Sequence, residues 1–287
     1  APDGIDAIGA WSTFAARGAG IKLLDIEQAF NQTHYDLPNV IMLSGFCSGC
    51  NTPDYRNHGT AVLGQIAALD NGWGTTGIAP DSQMYFAGGG NTVLIASAIT
   101  NALGTTLVRG DVILIEQQYP GPRWNVCCNN PSSCPPSTNC DFGYLPVEWD
   151  PSVYNAITMA QGSDVIVIEA AGNGYQNLDD PLYNAGHAPF SPGNDSGAIM
   201  VGAGNSCCRS RLDFSNYGDT LDLQGWGQNV WTTGFGSAYN AEGENLYYTG
   251  GFAGTSSASP IVAGACTLLQ SAYKARTGSI LTPSRIK

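Results

Sequence analysis

Apolar residues along this chain occur as short runs that alternate with longer amphipathic stretches. The short runs predict six buried strands, at residues 21–25, 40–43, 83–87, 112–115, 164–168 and 198–203. The longer stretches predict four helices, at residues 58–69, 93–108, 151–161 and 255–274. Strands that alternate with helices in this way form mostly parallel sheets with helices on both faces. We therefore expect a three-layer α/β fold.

The chain of 287 residues is expected to fold as a single domain, residues 1–287. No Ser-, Gly- or Pro-rich linker divides it, and no repeat of fixed period is present. A Cys-rich polar insert lies at about residues 123–144. Residues 281–287 have the pattern of the first turn of a helix, so we expect the last helix to be cut short.

Charge argues against nucleic acid as a partner. Acidic residues outnumber basic ones 23 to 11, and the net charge is −12. A protein that binds phosphates needs a basic stripe, and the sequence has none. The acidic surface either favours cationic polypeptides or keeps a secreted protein soluble. No apolar stretch reaches the roughly 18 residues of a membrane span, so no membrane partner is expected.

Nine cysteines, most of them in loop-like segments, predict disulfide bonds and therefore an extracellular, secreted protein. Cys266 lies in an apolar helical stretch and is expected to be a buried free thiol. The other eight are candidates for bridges, and their pairing is left open. Zinc binding at Cys47-x-x-Cys50 is the alternative, but no second pair of ligands at zinc spacing completes such a site.

Residues 254–260, Gly-Thr-Ser-Ser-Ala-Ser-Pro, form a glycine-tight turn that leads into an apolar helix. Ser256 is a candidate nucleophile there, because unpaired N–H groups at a helix start stabilise developing negative charge. The simpler alternative is an N-cap serine. A serine nucleophile needs a base, an orienting group and an oxyanion site. His58, Asp25 at the end of a strand, and Asn173 in a Gly-Asn-Gly turn are the candidates for these roles.

The order Asp, His, Asn, Ser with the segments NHGT, AAGNG and GTSSASP resembles the subtilisin-type serine peptidases, the subtilases. Residues 69–80 resemble the calcium loop of that family, and residues 213–218 resemble its FSxxG turn. The resemblance implies a subtilisin-like fold and a serine endopeptidase acting on polypeptides through an Asp25–His58–Ser256 triad, with Asn173 in the oxyanion hole. It also implies a zymogen whose own propeptide acts as inhibitor or chaperone, and a monomer.

One segment departs from the family pattern. Asp25 is followed by Ile26 and Glu27, where most members have Ser or Thr and then Gly, so the chain is expected to belong to a variant branch. Two rival hypotheses follow from this departure. One is a catalytically impaired subtilase-fold protein that binds peptides, and the other is a carboxyl peptidase that uses Glu, Asp and Ser. The second rival leaves His58 without a role.

The resemblance also implies the walls of a substrate groove. The candidate residues are Glu116, Gln117 and Gln118 after one strand, and Glu169, Ala171 and Gly172 before the oxyanion asparagine. Three hypotheses remain open for the acidic members. Glu116 and Glu169 line a pocket for a basic side chain, or these two and Glu27 share protons beside Asp25 and shift the working pH. In the third, each is a satisfied structural carboxylate.

Calcium is the one cofactor that the resemblance implies. The candidate ligands are the side chains of Asp36 and Asn71 and the carbonyl oxygens of Leu69, Trp73 and Thr75. A set of oxygen ligands suits this hard cation. The alternative is that the loop closes on itself through Asx turns without an ion.

Overall fold

A computed structural model describes residues 4–126, 140–184 and 186–287, with Asn184 described only in its backbone. The strands are β1 (Lys22–Glu27), β2 (Ile41–Met42), β3 (Gln83–Gly88), β4 (Val112–Ile115), β5 (Gln118–Pro120), β6 (Tyr144–Pro146), β7 (Ile166–Ala170), β8 (Ile199–Gly204), β9 (Leu223–Trp226), β10 (Val230–Thr233) and β11 (Tyr248–Phe252). The α-helices are α1 (Ala7–Phe14), α2 (Pro53–Ala67), α3 (Thr92–Ala102), α4 (Pro151–Gly162), α5 (Thr255–Thr277) and α6 (Pro283–Ile286).

Seven strands form one parallel sheet in the order β2-β3-β1-β4-β7-β8-β9. Two small antiparallel ribbons, β5 with β6 and β10 with β11, lie outside it. The carboxyl ends of parallel strands meet at one edge, which is where α/β proteins place their sites. The predicted α/β fold with a mostly parallel sheet is confirmed.

Successive residues of the strands face opposite sides of the sheet and enter different cores. Leu23 and Leu114 pack with apolar residues of α2 and α5, including Ile66 and Val262. Leu24 and its alternate neighbours pack with α3 and α4 on the other side. The sheet is therefore the middle of three layers, and its odd-numbered β1 positions face the layer formed by α2 and α5.

Several element boundaries differ from the prediction. Strand β1 continues two residues beyond Asp25, because Ile26 and Glu27 still pair with β3. Helix α2 begins at Pro53, five residues before His58, because the Thr52 side chain accepts a hydrogen bond from the Tyr55 N–H and Pro53 suits the first helical position. Strand β9 and both ribbons were not predicted.

The cysteines follow the prediction only in part. Cys47 and Cys50 form a disulfide, which removes them as zinc ligands, and Cys140 is also disulfide-bonded. Cys266 is a buried free thiol, as predicted. Cys207 and Cys208 were expected in bridges but are free and exposed in this structure. Cys127, Cys128 and Cys134 lie outside the described residues.

Among the helices of the described residues, none combines the length and the apolar character needed to cross a bilayer. The same part of the chain contains no group of three or more His, Cys, Asp or Glu side chains arranged to hold a metal ion.

Candidate active site

Ser256 is the second residue of α5 and is partly exposed at the start of that helix. The residue before the helix, Gly254, has φ +100°, a backbone conformation that L side chains rarely adopt. This glycine turns the chain so that Thr255 is buried and Ser256 is not. The backbone therefore presents the Ser256 hydroxyl where the helix N-terminus is positive.

Asn173 is fixed against the same turn. Its Oδ1 accepts hydrogen bonds from the Thr255 N–H at 2.9 Å and the Thr255 hydroxyl at 3.0 Å. Its Nδ2 lies 3.4 Å from where a Cβ at Gly254 would stand, so the amide nitrogen is next to the backbone that precedes Ser256. The amide is thus oriented with its oxygen engaged and its two N–H donors at the edge of the site.

The loop that carries Asn173 is held by its neighbours. The Asn173 N–H donates to Gln118 Oε1 at 2.9 Å, and the Asn216 side chain donates to the Ala171 carbonyl at 2.7 Å. Gly174 lies so close to β6 that a Cβ there would be 1.9 Å from the Tyr144 oxygen. Such a loop is preorganised, which is the property that an oxyanion site requires.

His58 lies within α2, and its Nδ1 is in a short hydrogen bond with Glu27 Oε2. Glu27 is fully buried, and its other oxygen accepts from the Gln28 N–H at 2.7 Å and lies 3.5 Å from Gln117 Nε2. The imidazole is 27% exposed and meets the Phe252 ring edge-on, with centroids 5.6 Å apart. A carboxylate on Nδ1 leaves the Nε2 lone pair available as a base.

Close packing of α2 on β1 makes this contact. A Cβ at Gly59 would lie 2.2 Å from the Ala29 carbonyl oxygen and 2.8 Å from Glu27 Cγ. Residue 59 must therefore be a glycine for the helix to rest on the Glu27 side chain at this distance. The neighbouring residue, His58, is then within reach of the carboxylate.

The prediction that Asp25 orients His58 is wrong, because Glu27 occupies that position. Asp25 faces the same side of the sheet but lies in mid-strand, two residues further from the edge. Within the part of the chain that the structure describes, neither of its carboxyl oxygens has a hydrogen-bond partner. Burial, and then the charge of Glu27, raise the pKa of Asp25 well above its usual range.

The pKa of His58 responds to two opposed effects. Burial lowers it, but the negative charge of Glu27 and the hydrogen bond to it outweigh burial and raise the pKa to about 9. Two contacts place the ring near the start of α5. Phe252, four residues before Ser256, packs on the imidazole, and Ser259, three residues after it, contacts Glu116, which lies beside Glu27 on the next strand.

The hypothesis of a shared acidic pocket is also wrong. Glu169 is paired in register with Ile115, and Glu116 follows on the next position of β4, so the two side chains face opposite sides of the sheet. Glu169 is buried and accepts a hydrogen bond from the Glu148 N–H at 3.0 Å. Glu116 is 4% exposed and contacts Ser259. These two carboxyls cannot bind one basic side chain together.

The remaining groove candidates lie around Asn173 and Glu27. Gln118 is partly exposed and contacts the Asn173 backbone, while Ala171 and Gly172 are buried in the loop before Asn173. Gln117 is nearly buried and accepts a hydrogen bond from the Gln28 side chain at 3.0 Å. Gln118 is thus the groove candidate that the structure places at the edge of the site.

Asp36 and Asn71, the two candidate side-chain ligands of calcium, come together, but the hydrogen bonds that they make do not suit a cation. The two Asp36 oxygens accept from the Asn71 side-chain N–H at 2.9 Å, the Thr75 backbone N–H at 2.9 Å and the Tyr248 hydroxyl at 3.2 Å. The Asn71 oxygen accepts from the Trp73 N–H, which closes an Asx turn. Both Asp36 oxygens are thus bonded to N–H and O–H donors, and the loop closes through its own hydrogen bonds.

A parallel α/β sheet with a helix-start serine, a carboxylate-bound histidine and a loop amide held by hydrogen bonds has the residue types that a serine hydrolase site requires. The sequence profile of the S8 peptidases, described as the subtilase family, matches residues 48–287. The chain belongs to this family of serine proteases. The matched region contains His58, Asn173 and Ser256, and it begins after Glu27.

Individual relatives cover most of the chain. Subtilisin DY of Bacillus licheniformis is 31% identical over 92% of this chain and 81% of its own length. Subtilisin Savinase of Lederbergia lenta is 30% identical over 88% of this chain and 77% of its own length. The alkaline protease of Alkalihalobacillus alcalophilus is 30% identical over 88% of this chain, which spans 54% of that protein.

Proposed function

We propose that this protein is a secreted serine endopeptidase with a Glu27–His58–Ser256 triad. Ser256 Oγ attacks a peptide carbonyl while His58 Nε2 takes the hydroxyl proton. The carbon–nitrogen bond then breaks, and the proton passes from His58 to the leaving amine. Water, activated by the same imidazole, hydrolyses the acyl-enzyme and restores the Ser256 hydroxyl. The contact between Glu27 and His58 is the observation that carries this proposal.

Glu27 acts through His58 in two ways. As an acceptor on Nδ1 it holds the proton there, which keeps Nε2 free to accept the proton of Ser256. As a buried anion it stabilises the imidazolium that forms during the attack, and the raised pKa of His58 expresses the same interaction. Asp25 has neither contact and takes no such role.

Asn173 and the Ser256 backbone N–H form the proposed oxyanion hole. Thr255 holds the Asn173 oxygen through two hydrogen bonds, so the amide presents N–H donors rather than its carbonyl to the site. Donors fixed before the reaction stabilise the tetrahedral intermediate without reorganisation.

The substrate is a polypeptide, and we propose that its backbone lies along Gln118 and the Ala171–Gly172 loop. Gln117 contacts the side chains of Gln28 and Glu27 and helps to hold them in place. Glu116 and Glu169 are buried on opposite faces of the sheet, so these two residues do not form an acidic pair for a basic side chain. We therefore expect no strong preference for Lys or Arg before the cleaved bond.

Secretion, a propeptide and a monomeric state complete the proposal. The nine cysteines and the Cys47–Cys50 disulfide support an oxidising compartment. The zymogen and the monomer rest on the family resemblance. Recovery of the protein from the culture medium tests secretion. Its mass tests removal of a propeptide, and its hydrodynamic radius tests the monomeric state.

The test of function is digestion of a defined peptide mixture combined with labelling by a fluorophosphonate. Wild type is expected to cut peptides and to carry the label on Ser256, and Ser256→Ala is expected to do neither. Ser284→Ala is the matched control. Ser284 also lies in the first turn of a helix and is exposed, but it is not part of the proposed site. Peptide binding by an unlabelled, inactive wild type would overturn the proposal.

A further inference from the structure

Three carboxyl side chains meet beneath the imidazole of His58. Asp25 and Glu27 face the α2 and α5 side of β1, and the Glu116 N–H donates to the Ile26 carbonyl, which continues the β1–β4 ladder and places Glu116 beside Glu27. Adjacent strands are about 4.8 Å apart, so these side chains are neighbours. Asp25 and Glu27 are 0% exposed and Glu116 is 4% exposed.

Among the residues that the structure describes, the groups that pack around these carboxyls supply one positive charge, that of His58 when it is protonated. On β3 the positions paired with Asp25 and Glu27 are Phe86 and Gly88, which are uncharged. In α5 the group that contacts the set is the Ser259 hydroxyl, and in α2 it is His58. Three buried anions around a single imidazolium would leave two charges uncompensated, at a cost of several kcal/mol each.

Hydrogen bonding distinguishes which carboxyl bears the charge. Glu27 accepts from the Gln28 backbone N–H and from His58, as an anion requires. In the described part of the chain, both oxygens of Asp25 and Oε2 of Glu116 have no partner. Charge therefore belongs on Glu27, and the other two carboxyls are in surroundings that suit a neutral acid.

The contacts of Ser259 give an independent argument. Its Oγ lies 2.5 Å from Glu116 Oε1 and 2.8 Å from the Thr255 carbonyl oxygen. A hydroxyl has one proton, and the Thr255 carbonyl can only accept. Both contacts are hydrogen bonds if Ser259 donates to Thr255 and accepts from Glu116. This arrangement requires a proton on Glu116.

We propose that Glu116 is a positioning residue that functions as an uncharged carboxylic acid: it donates to Ser259 and, with Asp25, leaves Glu27 as the single anion under His58. The inference rests on the proposed triad. Burial raises the pKa of both Glu116 and Asp25 well above the usual carboxyl range, which agrees with the geometry. The bond to Ser259 fixes the first turn of α5, and Ser256 lies in that turn.

Infrared spectroscopy of the mature protein at pH 8 tests the protonation directly. Two carboxylic-acid C=O bands are expected from these sites. One is expected to disappear in Glu116→Gln and the other in Asp25→Asn. A spectrum in which Glu116→Gln removes a carboxylate band instead would overturn the proposal. Since this measurement does not depend on catalysis, it stands or fails separately from the peptidase assignment.

The pH dependence of kcat/KM tests the positioning role. Glu116→Gln keeps a donor for Ser259 and no charge, so its apparent pKa is expected to match wild type. If Glu116 were an anion, the pKa of His58 would fall in this variant, because a negative charge that raises it would be lost. Glu116→Ala removes the donor and is expected to lower kcat about ten- to a hundredfold, a loss that Gln restores. Equal losses in both variants would contradict the proposal.

Thermal unfolding gives a further readout. A carboxyl whose pKa is raised by folding contributes stability at low pH that is lost as pH rises from its unfolded pKa to its folded pKa. Glu116→Gln lacks this loss, so its Tm relative to wild type is expected to increase from pH 4.5 to pH 8. A Tm difference that stays constant or decreases with pH would refute a neutral Glu116.

Discussion

Exchanging Glu27 for Gln is the sharpest test of the site, because it removes one charge without changing the shape of the side chain. In wild type both carboxylate oxygens accept, one from the Gln28 N–H at 2.7 Å and the other from His58 Nδ1. An amide has a single oxygen. Either its NH2 faces the Gln28 N–H, donor against donor, or it donates to Nδ1 and forces the proton of His58 onto Nε2.

The second arrangement abolishes the base, because a protonated Nε2 cannot accept the proton of Ser256. Amide replacement of the orienting carboxylate in a comparable triad lowers kcat about 10⁴-fold. This loss corresponds to roughly 5.4 kcal/mol of transition-state stabilisation. Asp25→Asn is the matched control, since it replaces a buried neutral acid that has no hydrogen-bond partner in the described residues. We expect its kcat/KM to stay within about threefold of wild type.

The assay is hydrolysis of a fluorogenic peptide, with each variant normalised to folded protein by circular dichroism. We expect kcat/KM to be highest for wild type, slightly lower for Asp25→Asn, and near the detection limit for Glu27→Gln. The reverse order, with Asp25→Asn inactive and Glu27→Gln active, would refute the triad drawn from the structure and restore the one expected from the sequence.

Further predictions concern pH, the oxyanion hole and the Asp36 loop. Because His58 must be neutral to act as a base and its pKa is raised to about 9, kcat/KM is expected to fall as pH decreases below about 9; a flat profile down to pH 6.5 would contradict this. Asn173→Ala is expected to lower kcat a hundredfold or more with little change in KM, whereas equal changes in both would indicate a role in ground-state binding. A chelator is expected to leave Tm nearly unchanged, because Asp36 is bonded to N–H and O–H donors, and Asp36→Ala is expected to lower Tm; a large chelator effect would show that the loop holds a cation after all.

Much of this site could be predicted from the chain. The turn at Gly254, the helix of His58 and the Gly-Asn-Gly segment around Asn173 each have a local signature, and the structure brings these elements to one edge of the sheet. Position along a strand has no such signature. Asp25 and Glu27 share a face under period-two alternation, and only pairing with β3 and β4 shows that the strand continues to Glu27.

The groove was harder to predict for the same reason. Glu116 and Glu169 each follow an apolar strand, but the register of β4 against β7 decides which face each occupies, and register is a property of the assembled sheet. The Asp-Ile-Glu segment nevertheless contains the residue that pairs with His58. It suggested a carboxyl peptidase in which His58 has no role, whereas in the structure Glu27 is the hydrogen-bond partner of His58.

The packing of Gly59 on the stem of Glu27 limits how this enzyme can be re-engineered. Aspartate is one methylene shorter than glutamate, so an aspartate at position 27 would not reach the His58 ring unless α2 moved closer to the sheet. Gly59 already packs against β1, so α2 has no room for that movement. Glu27 and Gly59 therefore depend on each other, and replacing either one alone would disrupt the contact between Glu27 and His58.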